Sequence, residues 1–96
     1  MNVSERVKEL APDLRTEEPR SAYEELGGER GAARALDKCR ATLAGINGEY
    51  QFGCPLDQHF FSETGIDQDA FQDFVATGAS DDDVSAWIAK HSHTRS

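Results

Sequence analysis

The sequence predicts an all-α protein, a single compact domain of four to five short helices joined by glycine-punctuated loops. Apolar residues recur at intervals of three and four along most of the chain, which is the period of an amphipathic helix. Glycines and prolines interrupt this pattern often, so that no predicted helix is long. Such short helices are marginal in isolation, and we expect them to pack together around one core.

The length of 96 residues is enough for one domain, which we place at residues 1–96. Residues 1–20 are predicted to be a short helix followed by an irregular lead-in. The helix covers Ser4 to Ala11 and ends at Pro12, because proline disfavours the helical conformation at the residue before it. Residues 91–96 are polar and are predicted to form a frayed tail.

The longest predicted helix runs from Glu29 to Ala44. One apolar stripe along it must face the core; it consists of Ala32, Leu36, Cys39, Leu43 and Ile46. Arg30, Arg34 and Lys38 recur at four-residue intervals on another face, which we interpret as solvated. We expect these cations to pair with acidic neighbours, for example Arg34 with Asp37.

The segment before this helix predicts only one helical turn. Ser21 and Glu24 have the spacing of a capping box, and Gly27–Gly28 would end the turn. A short strand is conceivable only in the loop sequence GEYQF, residues 48–52. Because a single strand has no partner, we predict no sheet.

Three further helices are predicted in the second half of the chain. Pro55 favours a first helical position, so one helix should cover Pro55 to Glu63. Asp67 and Ser80 are predicted N-caps of the next two helices. The aromatic residues of this part are expected to centre the core, closed by Leu36 and Leu43; they are Phe60, Phe61, Phe71, Phe74 and Trp87.

The composition disfavours several classes of partner. The chain has 18 acidic and 10 basic residues, a formal net charge of −8, which repels nucleic acids and anionic membranes. We find no signal peptide and no apolar stretch of membrane-spanning length, and we expect a cytoplasmic protein with reduced thiols. A disulfide between Cys39 and Cys54 is disfavoured by that compartment, although the sequence alone leaves it open.

The stretch GCPLDQHFF, residues 53–61, holds the clearest candidate chemistry. Cys54 lies at a predicted helix N-terminus, where the helix dipole and free backbone N–H groups stabilise a thiolate. Asp57 opposes this by placing a negative charge nearby, and His59 is more than one turn away. The alternative interpretation is structural: Cys54 is an inert residue beside a proline that starts a helix.

Metal and cofactor sites are not predicted. The two cysteines are fifteen residues apart and the only close histidines are His91 and His93, which does not match zinc-ligand spacing. The glycines of ELGGERG lack the order of a nucleotide-binding loop.

Several segments, taken in order, resemble the bacterial family of domains of unknown function numbered 5069. They are DLR…PRS (Asp13 to Ser21), ELGG (Glu25 to Gly28), LDKCRATLAG (Leu36 to Gly45), GEY (Gly48 to Tyr50), CPLDQHFF (Cys54 to Phe61), TGID (Thr64 to Asp67) and a late Trp87–Ile88. The resemblance covers residues 13–91. It implies a small soluble bacterial protein, with similar proteins continuing past the last helix, and it carries over no activity and no catalytic residue.

Our preferred functional hypothesis is a non-catalytic domain that binds a protein partner or a small ligand. The candidate surface lies between the GEY loop and the start of the following helix, with Tyr50, Phe52, Cys54 and Asp57 as ligand-binding residues. Aromatic side chains in a glycine loop are unfavourable unless they pack or bind, and the alternative is that both rings cover the core.

The second hypothesis is a thiol-dependent enzyme or redox sensor. Cys54 would be the nucleophile, assisted by Tyr50, Asp57 or His59, and Cys39 would be a resolving thiol if the fold brings it close. A basic neighbour beside an accessible Cys54 would favour this hypothesis.

Overall fold

A computed structural model describes residues 3–93 of the chain. Within this range there are five helices, which confirms the predicted all-helical class: α1 (Glu5–Leu10), α2 (Ala32–Ala44), α3 (Pro55–Thr64), α4 (Gln68–Val75) and α5 (Asp81–His91). No helix in residues 3–93 is long and apolar enough to cross a membrane.

Capping side chains begin three of these helices, and two of them, Asp67 and Ser80, are the predicted N-caps. Ser4 Oγ accepts a hydrogen bond from the backbone of Arg6 at the start of α1. Asp67 caps α4, and Ser80 forms a reciprocal capping box with Asp83 at the start of α5. The predicted frayed tail begins within α5, since His91 is its last residue, and residues 94–96 of that tail lie outside the described residues.

The long helix α2 passes through the middle of the molecule. Its apolar stripe packs as predicted, with Leu36 and Cys39 fully buried and Leu43 partly buried at the edge of the core. The prediction of a solvated face is wrong for Lys38, whose exposed fraction is 2%. Other segments cover this face too, because small residues let backbone approach closely from several sides; the buried ones are Ala32, Ala33, Ala35 and Ala41.

Aromatic rings from the second half of the chain form the centre of the core, as predicted. Phe71 is fully buried, and its ring centroid lies 5.5 Å from that of Phe61 and 6.0 Å from that of Trp87, both edge-on. These edge-to-face pairs are a favoured arrangement that adds to the burial of apolar area. Leu36 and Cys39 of α2 belong to the same buried cluster.

A two-stranded hairpin stands where the sequence predicted helix and no sheet. Strands β1 (Glu25–Leu26) and β2 (Glu29–Arg30) pair antiparallel around Gly27 and Gly28, so the helix begins three residues later than predicted. Both glycines have positive φ, 64° and 82°, the geometry of a two-residue turn whose twist matches its strands.

The segments around the hairpin also differ from the prediction. Ser21 makes a turn, with its Oγ accepting from the backbone of Tyr23, but the turn leads into β1 and no capping box forms with Glu24. Residues 48–52, the loop offered by the sequence as a place for a strand, contain no strand.

A group of ion pairs fixes the lead-in segment against α2 and α5. Arg20 binds Asp37 with both its Nε and Nη2 atoms, and its Nη1 lies 2.9 Å from Asp81. Arg40 also reaches Asp81, at 2.7 Å, and donates to the carbonyl of Ala79. The predicted Arg34–Asp37 pair is therefore wrong, because the Asp37 carboxylate binds Arg20, seventeen residues earlier in the chain.

We predict that alanine at the two hairpin glycines will destabilise the protein unequally. A Cβ at Gly27 would lie 2.7 Å from the Ser85 carbonyl oxygen and 2.9 Å from Ile88 Cβ, whereas one at Gly28 meets open space. Gly28→Ala should cost about 1–2 kcal/mol for the left-handed backbone alone. Gly27→Ala should cost about 1–3 kcal/mol more for the overlap, as measured by urea unfolding. Equal losses would contradict the described packing of β1 on α5.

Candidate functional site

The start of α3 is built as its sequence predicted. Cys54 is the N-cap residue with extended backbone, and Pro55 occupies the first helical position, where its missing N–H has no intrahelical partner to lose. Asp57 turns back so that its Oδ2 accepts a hydrogen bond of 2.9 Å from the backbone of Gly53. This bond fixes the approach of the loop to the helix and aims the Asp57 carboxylate inward.

The side chain of Lys38 connects α2 to this helix start. Its Nζ lies 2.9 Å from Asp57 Oδ2 and 2.9 Å from Cys54 Sγ. The side chains of Lys38 and Asp57 are 3% and 2% exposed, while Cys54 is half-buried. One ammonium group therefore bridges a carboxylate and a thiol at the edge of the core; we call Lys38, Cys54 and Asp57 the bridge cluster.

Burial makes the charges of the bridge cluster depend on one another. Removing an ammonium or a carboxylate from water costs several kcal/mol, so a buried charge needs a partner in good geometry. Lys38 and Asp57 supply this for each other, and the Gly53 amide adds a second hydrogen bond to the carboxylate. The Lys38 ammonium thereby offsets the negative charge that Asp57 places near the thiol.

The environment favours the ionised form of Cys54. Partial burial acts to raise the pKa of this thiol, and the nearby Asp57 charge acts in the same direction. The hydrogen bond from Lys38 and the backbone amides of Asp57 and Leu56 outweigh both, so the pKa of Cys54 lies below its ordinary value.

The second cysteine has the opposite environment. Cys39 is fully buried in the core, and this burial raises the pKa of its thiol to about 12. Both cysteines are free thiols, so the Cys39–Cys54 disulfide that the sequence left open is not formed. The fold gives Cys39 the surroundings of an inert core residue and not those of an accessible thiol.

The aromatic residues of the predicted binding surface pack against the protein itself. Phe52 lies on the core, with its ring centroid 5.9 Å from Phe61 and 6.1 Å from Phe71. The Arg34 guanidinium lies 5.7 Å from the centroid of the half-buried Tyr50 ring. Phe52 thus takes the core-covering role that the sequence offered as the alternative.

His59 lies on a different face of α3 from the bridge cluster. Its side chain is 72% exposed, and its contact is with Glu63 at 3.9 Å. Two residues along a helix correspond to a rotation of about 200°, so His59 and the buried Asp57 point in opposite directions. The structure therefore brings together Cys54 and Asp57 of the predicted residues, without His59.

Metal binding has no preformed cluster in the part of the chain that the structure describes. Residues 3–93 contain no group of three or more histidine, cysteine or acidic side chains placed to hold an ion. In the bridge cluster the third member is a cation, which repels a metal ion.

Sequence reasoning missed Lys38, the residue that organises the site. Its regular spacing with Arg30 and Arg34 indicated an exposed face of the helix. Lys38 itself is not part of the predicted apolar stripe, although its neighbour Cys39 is. The available signal was the alanine content of α2, since alanines at positions 32, 33, 35 and 41 allow close packing on more than one face.

We predict that Lys38→Met will lower the free energy of unfolding by about 3–5 kcal/mol, because it leaves the Asp57 carboxylate buried without its counter-charge. The double variant Lys38→Met/Asp57→Leu removes both charges and should be more stable than Lys38→Met alone. Urea denaturation of the two single variants and the double variant measures the coupling. Strictly additive losses would contradict a buried ion pair at this position.

Comparisons with known proteins place the chain in a family. No curated protein matches the chain. A family model described as a domain of unknown function, DUF5069, matches residues 16–96. This range includes the hairpin and helices α2 to α5, and with them all three residues of the bridge cluster. Because the match covers most of the chain, the protein is a member of the DUF5069 family.

Proposed function

We propose that the protein is a small thiol-based module in which Cys54 reacts, as a thiolate, with an oxidant or an electrophile. The observation that carries this proposal is the 2.9 Å contact between Lys38 Nζ and Cys54 Sγ. A thiolate, not a thiol, is the nucleophile, and a neighbouring ammonium group increases the thiolate fraction at neutral pH.

Each member of the bridge cluster has a separate part in this proposal. Cys54 supplies the reacting sulfur, and this residue is only half-buried. Lys38 stabilises the negative charge on that sulfur. Asp57 is a positioning residue: it holds the Lys38 ammonium at 2.9 Å and so keeps it beside the sulfur.

The proposed chemistry uses one cysteine. Redox sensors often pair a reactive cysteine with a resolving cysteine, and Cys39 was the sequence candidate for that role. Its place in the core and its raised pKa favour a product formed on Cys54 without Cys39.

The non-catalytic binding hypothesis remains a second proposal, with a different surface. Tyr23 and Leu56 are the large apolar side chains most open to solvent in the described residues, 80% and 48% exposed. Both border a cleft of about 220 Å³ whose lining is mainly apolar and includes Ala22, Gly31 and Phe60, together with Arg30 and His59. Exposed apolar residues around a concave surface favour a protein partner. Leu56 is two residues from Cys54, so a partner bound there would lie near the thiol.

We also propose a bacterial cytoplasmic setting. The free cysteines fit a reducing compartment, where disulfides are rare. The acidic net charge of −8 favours a partner that is neither a nucleic acid nor an anionic membrane.

We predict that iodoacetamide will alkylate Cys54 of the folded protein faster than the cysteine of a synthetic peptide covering residues 53–58. The advantage should persist as the pH falls below the ordinary range of a thiol pKa, because a lowered pKa keeps more of the thiolate populated there. Cys39 should stay unlabelled until the protein is unfolded. Mass spectrometry of quenched digests measures both rates. If Cys54 loses its reactivity at the same pH as the peptide does, the proposed function is wrong.

A further inference from the structure

We propose that oxidation of Cys54 by a hydroperoxide ends in a covalent bond between Cys54 Sγ and Lys38 Nζ. The product is a sulfenamide that crosslinks α2 to the start of α3. The inference rests on the proposed function, since it requires a reactive Cys54 thiolate. It adds the identity of the second reacting group and the class of co-reactant.

The geometry of the bridge cluster supplies the reacting pair. Productive attack needs the two atoms held about 3–3.5 Å apart or closer, and Nζ and Sγ are 2.9 Å apart. Both are held in place: the Lys38 side chain is 3% exposed, and the Cys54 backbone is fixed at the N-cap of α3. Sulfenic acids condense with a neighbouring thiol or nitrogen. Cys39 is buried in the core and forms no disulfide with Cys54.

The first step oxidises the sulfur. The Cys54 thiolate attacks one oxygen of the hydroperoxide, the O–O bond breaks, and a sulfur–oxygen bond forms. Sulfur loses two electrons to the peroxide. When the oxidant is hydrogen peroxide, its second oxygen leaves as hydroxide. The Lys38 ammonium gives that hydroxide a proton, so the products are Cys54 sulfenic acid, water and the neutral Lys38 amine.

The second step joins the two side chains. The lone pair of Lys38 Nζ attacks Sγ, a nitrogen–sulfur bond forms, and the sulfur–oxygen bond breaks. The leaving hydroxyl takes one proton from the amine and departs as water, with no further oxidant consumed. Asp57, whose Oδ2 is 2.9 Å from Nζ, is placed to relay that proton.

The crosslink changes the charge balance of the site. Lys38 loses its positive charge, while Asp57 stays 2% exposed and loses the ammonium that neutralises it. An unpaired buried carboxylate is unfavourable, so the oxidised site differs from the reduced one in charge as well as in connectivity. A thiol reductant would reverse the change by releasing the amine.

The test is peptide mapping of the full chain after treatment with hydrogen peroxide. We expect a protein monomer lighter by about 2 Da, the loss of two hydrogens in forming a sulfenamide. Trypsin should no longer cleave after Lys38, and the Lys38 peptide should be joined to the Cys54 peptide. Alkylation after unfolding should modify Cys39, which separates the sulfenamide from a Cys39–Cys54 disulfide of equal mass. Dithiothreitol should restore both peptides.

Two variants serve as controls. Lys38→Arg keeps the positive charge beside Cys54 but lacks the amine, so its Cys54 should be trapped by dimedone several-fold more than in the wild type. Cys54→Ser should form no crosslink. If Lys38→Arg does not fold, the linked wild-type peptide and Cys54→Ser still decide the question.

Uncrosslinked sulfenic or sulfinic acid on wild-type Cys54 would overturn the crosslink and leave the proposed reactive thiol standing. A crosslink heavier than the reduced protein by about 14 Da would show one bridging oxygen and overturn the direct nitrogen–sulfur bond. No oxidation of Cys54 at peroxide levels that modify reactive thiols would overturn both the crosslink and the proposed function.

Discussion

The burial of one ammonium group is the constraint on which the functional account depends. Helix α2 is covered on several sides, and the Lys38 side chain extends from it with only 3% of its surface exposed. A buried ammonium needs a counter-charge and hydrogen-bond acceptors. Asp57 and Cys54, at the start of α3, are the groups that meet this need, and the bond from the Gly53 amide to Asp57 holds the preceding loop to this helix start.

The rest of the polar part of α2 follows the same principle. Asp37 is 7% exposed and takes its counter-charge from Arg20 of the lead-in segment, while Arg40 is 3% exposed and finds Asp81 at the start of α5. Each buried charge of this helix thus binds a segment distant in sequence. The apolar stripe stabilises the fold by burying apolar area. The ion pairs determine which segments lie against the helix.

Local signals in the sequence were enough to predict most helix boundaries. The caps at Asp67 and Ser80 and the proline at position 55 act within one turn, so their effect can be read from neighbouring residues. The hairpin was missed because Glu29 and Arg30 fit the period of the following helix, whereas the turn depends on two adjacent glycines at positive φ.

Of the three residues in the candidate site, the sequence predicted only Cys54 and Asp57. The sequence placed Cys54 and Asp57 at a helix N-terminus, but Lys38 lies sixteen residues before Cys54, and its contact depends on how α2 packs. Without the lysine, Asp57 appeared to disfavour the thiolate. Two segments that carry the family resemblance, LDKCRATLAG and CPLDQHFF, meet at this contact.

The most direct test of the central claim is the hydrogen exchange of the lysine ammonium groups, followed by NMR with ¹⁵N-labelled lysine. The chain has three lysines, and Lys8 and Lys90 are exposed controls. The account predicts one slowly exchanging ammonium signal, that of Lys38, which moves when Cys54 is alkylated. Exchange at Lys38 as fast as at the two controls would contradict a lysine buried between Asp57 and Cys54.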